Sequence, residues 1–130
     1  MRYNLNDQEM AQIFQESLQY LHQHLMDWNC EMTINRNHYI QMRDRLKRND
    51  NLVTYEEILT EMLFCGCEFD IWNKDNQTDI TYFDSKRFRQ NLMLLNEEDV
   101  LSILNGDGEY DIETTDRILQ TLFFSGIKYF

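Results

Sequence analysis

The stretch DQEMAQIFQESLQYLHQHLMDW, residues 7–28, decides how this chain is read. Met10, Ile13, Phe14, Leu18, Leu21 and Leu25 recur at intervals of three and four, which places one apolar stripe along a helix. Asn6 or Asp7 can cap its start, and acidic residues through Glu9 suit the positive end of the helix dipole. There is no proline, and only four glycines occur in 130 residues. Long helices with short connections are favoured over a strand-and-turn architecture. The expectation is a mainly α fold, a compact bundle of five to six helices.

Outward from that helix, residues 31–34 read as a short extended segment. A helix over 37–48 carries Arg43, Arg45, Lys47 and Arg48, with Arg36 just before it. Residues 49–51 form a turn, and Thr54 with Glu57 makes a capping box for a helix over 54–65. Residues 67–83 alternate loosely, with Phe69, Ile71, Ile80 and Tyr82 around a polar centre. This predicts a small β-hairpin, with a helical extension to Trp72 as the alternative. Further helices are expected over 85–95, near 97–104 with Asn96 at the boundary, and from a Thr114 cap to Phe124. Gly126 closes the last one, leaving 127–130 as a possible edge strand. The expected core is Ile13, Phe14, Leu18, Leu21, Ile58, Leu59, Met62, Leu92, Leu101, Leu104, Ile118, Leu119 and Leu122. A faint echo at an offset of sixty aligns Ile58 to Phe69 with Ile118 to Tyr129; duplication of a helix–Gly–strand unit would explain it, and so would two ordinary amphipathic helices ending in glycine, the preferred reading.

Hydrophobic residues at 42% and aromatics at 13% are a globular composition, and the length fits one domain, residues 1–130. Net charge is −11, unevenly distributed: seven acids and six bases in residues 1–50, sixteen acids and six bases in 51–130. Such a field repels nucleic acid and anionic membranes and attracts basic partners. No apolar run approaches a membrane span, and the start of the chain does not resemble a signal peptide. The three cysteines, Cys30, Cys65 and Cys67, argue against a disulfide framework and for a reducing, cytoplasmic setting.

Between Glu97 and Asp116 stand eight carboxylates and no Lys or Arg. Glu97, Glu98, Asp99 and Asp116 are expected in first turns of helices, where the dipole favours them. Asp107, Glu109, Asp111 and Glu113 are expected in a loop without a neighbouring base. Together with Glu97 and Glu98 they are the candidate partner-binding residues, spaced to meet Arg and Lys. His22, His24 and His38 lack the spacing of a metal motif and read as surface or half-buried. Cys65-Gly66-Cys67 lacks redox spacing, and its apolar neighbours suggest buried structural thiols. No Ser-His-Asp order, phosphate-binding loop or nucleotide fingerprint is present, so no catalytic residue, metal or cofactor is expected.

Residues 105–109, Asn-Gly-Asp-Gly-Glu, locally resemble an EF-hand loop, but the end ligands or the turn glycine fail in either register. Residues 27–34 and 73–80 echo the pattern with similar defects, and residues 5–10 look like the start of a calmodulin-like chain. That resemblance implies a degenerate, calcium-independent light-chain adaptor gripping a partner helix. The order helix, strand, helix, helix, hairpin is that of a winged helix. Its third helix would carry Glu56, Glu57 and Glu61, which phosphates repel, so no direct nucleic-acid contact is expected. The basic cluster would instead pair with the chain's own acidic half or with a symmetry mate in a homodimer. The leading expectation is a non-enzymatic acidic protein, a stoichiometric inhibitor or immunity-type protein of the phage or mobile-element counter-defence kind. It would occupy the basic cleft of a nuclease or other nucleic-acid-handling protein. The helix-gripping adaptor is the alternative.

Overall fold

Asn6 opens the first helix. Its side chain accepts from the Glu9 N–H at 2.7 Å, while the Glu9 carboxylate accepts from the Asn6 N–H at 3.1 Å. This reciprocal box satisfies two otherwise orphaned donors. A computed structural model describes residues 4–47, 52–106 and 110–130. In it the expected first helix is two helices, α1 (Asp7–Ser17) and α2 (Leu21–Asp27), separated by a 3-10 turn at Leu18–Tyr20. The apolar stripe survives the break because Leu18 and Leu21 lie three apart, one repeat of a 3-10 turn. Asn29, at φ 55°, then turns the chain into β1 (Cys30–Thr33). Asparagine is among the few residues that take this left-handed conformation readily.

α3 (Arg36–Leu46) ends short of the expected boundary, and Arg48 and the turn at 49–51 lie outside the described residues. No residue of α3 is buried. It packs on α4 (Tyr55–Phe64), which buries Ile58, Leu59, Thr60, Met62 and Leu63. Thr54 caps α4 by accepting from the Glu57 N–H at 3.2 Å. β2 (Phe69–Asn73) and β3 (Ile80–Phe83) pair antiparallel, so 67–83 is a hairpin rather than a helical extension. β1 adds to the far side of β2, giving a sheet of order β1-β2-β3. The registers run Cys30↔Asn73 to Thr33↔Asp70, and Phe69↔Phe83 to Trp72↔Ile80. Period two turns Phe69, Ile71 and Phe83 into the core and leaves Trp72, Ile80 and Tyr82 on the outer face.

α5 (Ser85–Leu92), α6 (Glu97–Leu104) and α7 (Ile112–Phe124) complete the chain. With α1 and α2 counted as one, the described residues hold six helices and a small antiparallel sheet, the mainly α bundle expected. Asp111, not Thr114, caps α7: its carboxylate accepts from the Thr114 N–H at 2.7 Å. An ionised acceptor makes the stronger cap bond of the two. Residues 127–130 form no strand. The fully buried Gln120 side chain holds them, accepting from the N–H groups of Lys128 (2.9 Å) and Tyr129 (2.7 Å) and donating to the Tyr129 carbonyl (2.9 Å). Gly66 therefore leads into a strand and Gly126 does not, so the echo at sixty stops at the glycine.

The core is more aromatic than the helical stripes suggest. Phe14, Phe69, Phe83, Phe88 and Phe123 are fully buried against one another, with Phe83 and Phe123 edge to face at 4.8 Å. Burying each ring contributes roughly 2–3 kcal/mol. Two expected core residues are corrected: Leu101 is 44% exposed and Leu104 only partly buried. α6 instead turns Asp99, Val100 and Ile103 inward, a phase that buries both aliphatic side chains and lets Asp99 pair with Arg117 of α7.

Candidate functional site

The acidic stretch divides into carboxylates spent on the fold and carboxylates left at the surface. Asp99 is nearly buried and receives a two-pronged hydrogen bond from Arg117, Nη2 to Oδ1 at 2.9 Å and Nε to Oδ2 at 3.2 Å. The pairing raises the guanidinium above its usual value, and Asp111 and Glu113 add to the effect. A base therefore neighbours the acids that sequence reading left without one. Asp111 remains exposed while it caps α7, and the Thr114 N–H holds its carboxyl below the usual range. Asp116 is not a first-turn residue. It accepts from Trp28 Nε1 at 2.8 Å and from Gln120. Glu97, Glu98 and Glu113 stand exposed in the first turns of α6 and α7. Asp107 and Glu109 lie outside the described residues.

The structure brings together acids that the sequence reading did not place in the partner-binding set. Glu16 from α1 and Glu56 and Glu57 from α4 line an open cleft of about 270 Å³ with Gln15, Gln19, Thr54 and Tyr110. Tyr110 ties this cleft to the acidic stretch. Its hydroxyl lies 2.8 Å from Glu16 Oε2 and 3.1 Å from the Ile103 carbonyl, and the next residue is the Asp111 cap. Among the described residues no Lys or Arg lines the cleft. Only a three-dimensional arrangement joins residues 16, 56, 57 and 110, so no local sequence signal could have found them. Compared with known proteins, the chain matches no family model, no curated protein and no solved structure.

Two side-chain groupings resemble catalytic arrangements and are built differently. His24 Nε2 lies 2.8 Å from Thr115 Oγ1, and its Nδ1 lies 3.8 Å from Asp116 Oδ1. That is the order hydroxyl, imidazole, carboxylate, yet His24 and Thr115 are buried in the core. Thr115 also lies 3.1 Å from the Ile112 carbonyl as a donor, and the same Asp116 oxygen holds Trp28. Burial lowers the His24 pKa, with Asp116 and Asp27 opposing it. His24 is thus a correction to the surface placement, and it joins α2 to α7 as a structural group. Cys67 Sγ lies 3.5 Å from His38 Nδ1, but burial, with Cys65 adding, raises the thiol pKa, opposite to an activated nucleophile. Cys65 is exposed, contrary to the buried placement expected.

Among the described residues no cluster of three or more His, Cys, Asp or Glu could hold a metal ion. Two calcium-loop echoes fall in the turn into β1 and in the β2–β3 hairpin, not between helices. Their oxygens are committed locally: Asn29 donates to Asp75 at 2.7 Å, and Asn73 Oδ1 accepts from the N–H groups of Asp75 and Asn76. Of the basic cluster, Arg45 pairs with Glu61 of α4 at 3.8 Å, and Arg43 pairs with its neighbour Asp44. Beside the acidic cleft, Leu18, Tyr20, Leu21, Met26 and Tyr55 line an apolar cleft of about 300 Å³. Burial, reinforced by Tyr39 and Glu56, pushes the Tyr55 phenol up to about 12. Tyr55 is therefore a neutral hydrogen-bonding group there at pH 7.

Proposed function

We propose that this chain is a non-enzymatic, stoichiometric inhibitor of the immunity type. Its acidic surface occupies the basic cleft of a nuclease or other nucleic-acid-handling protein, as a nucleic-acid mimic of the phage or mobile-element counter-defence kind. The observation that carries the reading is the set of exposed carboxylates at the α6 and α7 starts together with the half-buried carboxylates of the neighbouring cleft. Glu97, Glu98, Asp111 and Glu113 stand at the helix starts, and Glu16, Glu56 and Glu57 line the cleft. Arg117, the base lying among the first group, is already paired with Asp99. A partner that brings Arg and Lys to this surface gains many charge pairs, fast association and strong salt dependence. Asp107 and Glu109 belong to the same acidic stretch of sequence and lie outside the described residues. The free cysteines and the lack, among the described residues, of a helix long and apolar enough to cross a membrane suit a cytoplasmic setting.

The test is affinity capture from a native lysate at low and high salt, with wild type beside a Glu97→Gln, Glu98→Gln, Asp111→Asn, Glu113→Gln variant. Asparagine keeps the α7 cap while removing its charge. Salt-sensitive recovery of a nucleic-acid enzyme, its inhibition by wild type, and loss of both in the variant are expected. Equal recovery by both chains at both salts overturns the reading. The helix-gripping alternative would use the Met26-lined apolar cleft, and tight binding of an uncharged amphipathic helix would favour it.

A further inference from the structure

The outer face of the sheet carries aromatic surface that neither the core nor the acidic helix starts use. Trp72, Ile80 and Tyr82 project from β2 and β3, and with Thr33, Asp70 and Gln77 they line an open cleft of about 300 Å³. Tyr82 is 55% exposed and Ile80 39%. The Trp72 indole donates to Thr33 Oγ1 at 3.1 Å, which holds the ring in place before anything binds. Asp70 sits between Thr33 and Tyr82 in the cross-strand row. Its Oδ1 is shielded from solvent and is the one such side-chain oxygen or nitrogen, among the described residues, with no hydrogen-bond partner. No ion pair among the described residues reaches Asp70. Its charged neighbours are acids instead: a side-chain hydrogen bond with Asp70 raises the Glu68 carboxyl above its usual range, with burial and the charges of Asp70 and Asp84 adding to the shift.

We propose that this face docks an arginine side chain of a partner protein, its guanidinium lying against Trp72 and Tyr82 and donating to Asp70. Arginine alone among side chains is planar, permanently charged and able both to stack on an aromatic face and to fork onto a carboxylate. An apolar segment would cover the rings and leave Asp70 unpaired, and a nucleic acid would meet Glu68, Asp70 and Asp84 with like charge. Asp70 lines the cleft, and the guanidinium meets its carboxylate from that side while Oδ1 stays shielded within the sheet. The proposal rests on the basic-partner reading for the sign of the partner's charge. It adds the chemical group and a second surface.

The two tryptophans make the test direct. Trp28 is buried and Trp72 lines the cleft, so quenching by a docked peptide reports on Trp72. The probes are the capped peptide Gly-Arg-Gly-Arg-Gly and its lysine and citrulline counterparts, titrated to several millimolar. Saturable quenching is expected with arginine, at least ~5-fold weaker binding with lysine, and none with citrulline. Asp70→Asn should weaken arginine binding at least ~10-fold without lowering Tm, because it removes a charge that no ion pair compensates and that Glu68 and Asp84 repel. A merely structural Asp70 would lower Tm instead. Tyr82→Ala, at an exposed position, provides a second variant expected to weaken binding. Glu97→Gln, Glu98→Gln, Glu113→Gln should bind the arginine peptide as wild type does, which separates this site from the helix-start surface. No saturable quenching, equal binding of all three peptides, or wild-type affinity in Asp70→Asn overturns the proposal, whatever becomes of the inhibitor reading.

Discussion

Gln120 is fully buried, and its one amide replaces a strand pairing for the C-terminal residues. Gln120→Leu keeps much of the volume but orphans the Lys128 and Tyr129 N–H groups. A loss of about 2 kcal/mol is expected in denaturant unfolding, with faster hydrogen exchange at those two amides. His24 sets a pH dependence. Its folded pKa lies below the ordinary 6.5, so the unfolded chain binds a proton that the folded chain resists. Stability from this group is complete above about 6.5 and is lost as pH falls from there toward the lower folded value. Tm should therefore drop between pH 7.5 and 5.5, and His24→Gln should flatten that slope. Neither residue was legible in the sequence. A Gln or His inside an apolar helix face reads as surface until the tertiary partners, here Thr115 and the tail backbone, are known.

Elements were legible where the signal is local. The Asn6 cap, one of two starts the sequence offered, the Thr54 cap, the hairpin alternation and α6 over 97–104 all follow from spacing within a few residues. The break at Leu18–Tyr20 was hidden because the apolar positions fit a 3-10 turn as well as an α-helix. The α7 start was misplaced because Asp111 and Thr114 are both good caps, and an ionised acceptor prevailed. Asp111→Ala should lower Tm by about 4 °C while Asp111→Asn leaves it nearly unchanged, measured by thermal unfolding at pH 7. The outer sheet face did leave a trace. Trp72, Ile80 and Tyr82 fill positions that a one-sided sheet gives to polar residues, which explains why the alternation over 67–83 looked loose.

At the scale of the whole molecule, the charge is segregated. α3 exposes Arg36 and Arg45, the latter pairing across to α4, and half-exposes Arg43, while the α6 and α7 starts and the cleft of Glu16, Glu56 and Glu57 are acidic. Sequence showed the asymmetry as a count. It could not show that residues 16, 56 and 57 join the later acids, or that Asp99, Asp111 and Asp116 already have partners within the fold. The central claim is that the exposed acids take the place of a nucleic acid in a basic cleft, and competition tests it most directly. The captured partner is titrated with this chain at increasing concentrations of its own nucleic-acid substrate. The apparent Kd is expected to rise linearly with substrate, with no ternary complex. A Kd independent of substrate, or a stable complex of all three, would contradict it.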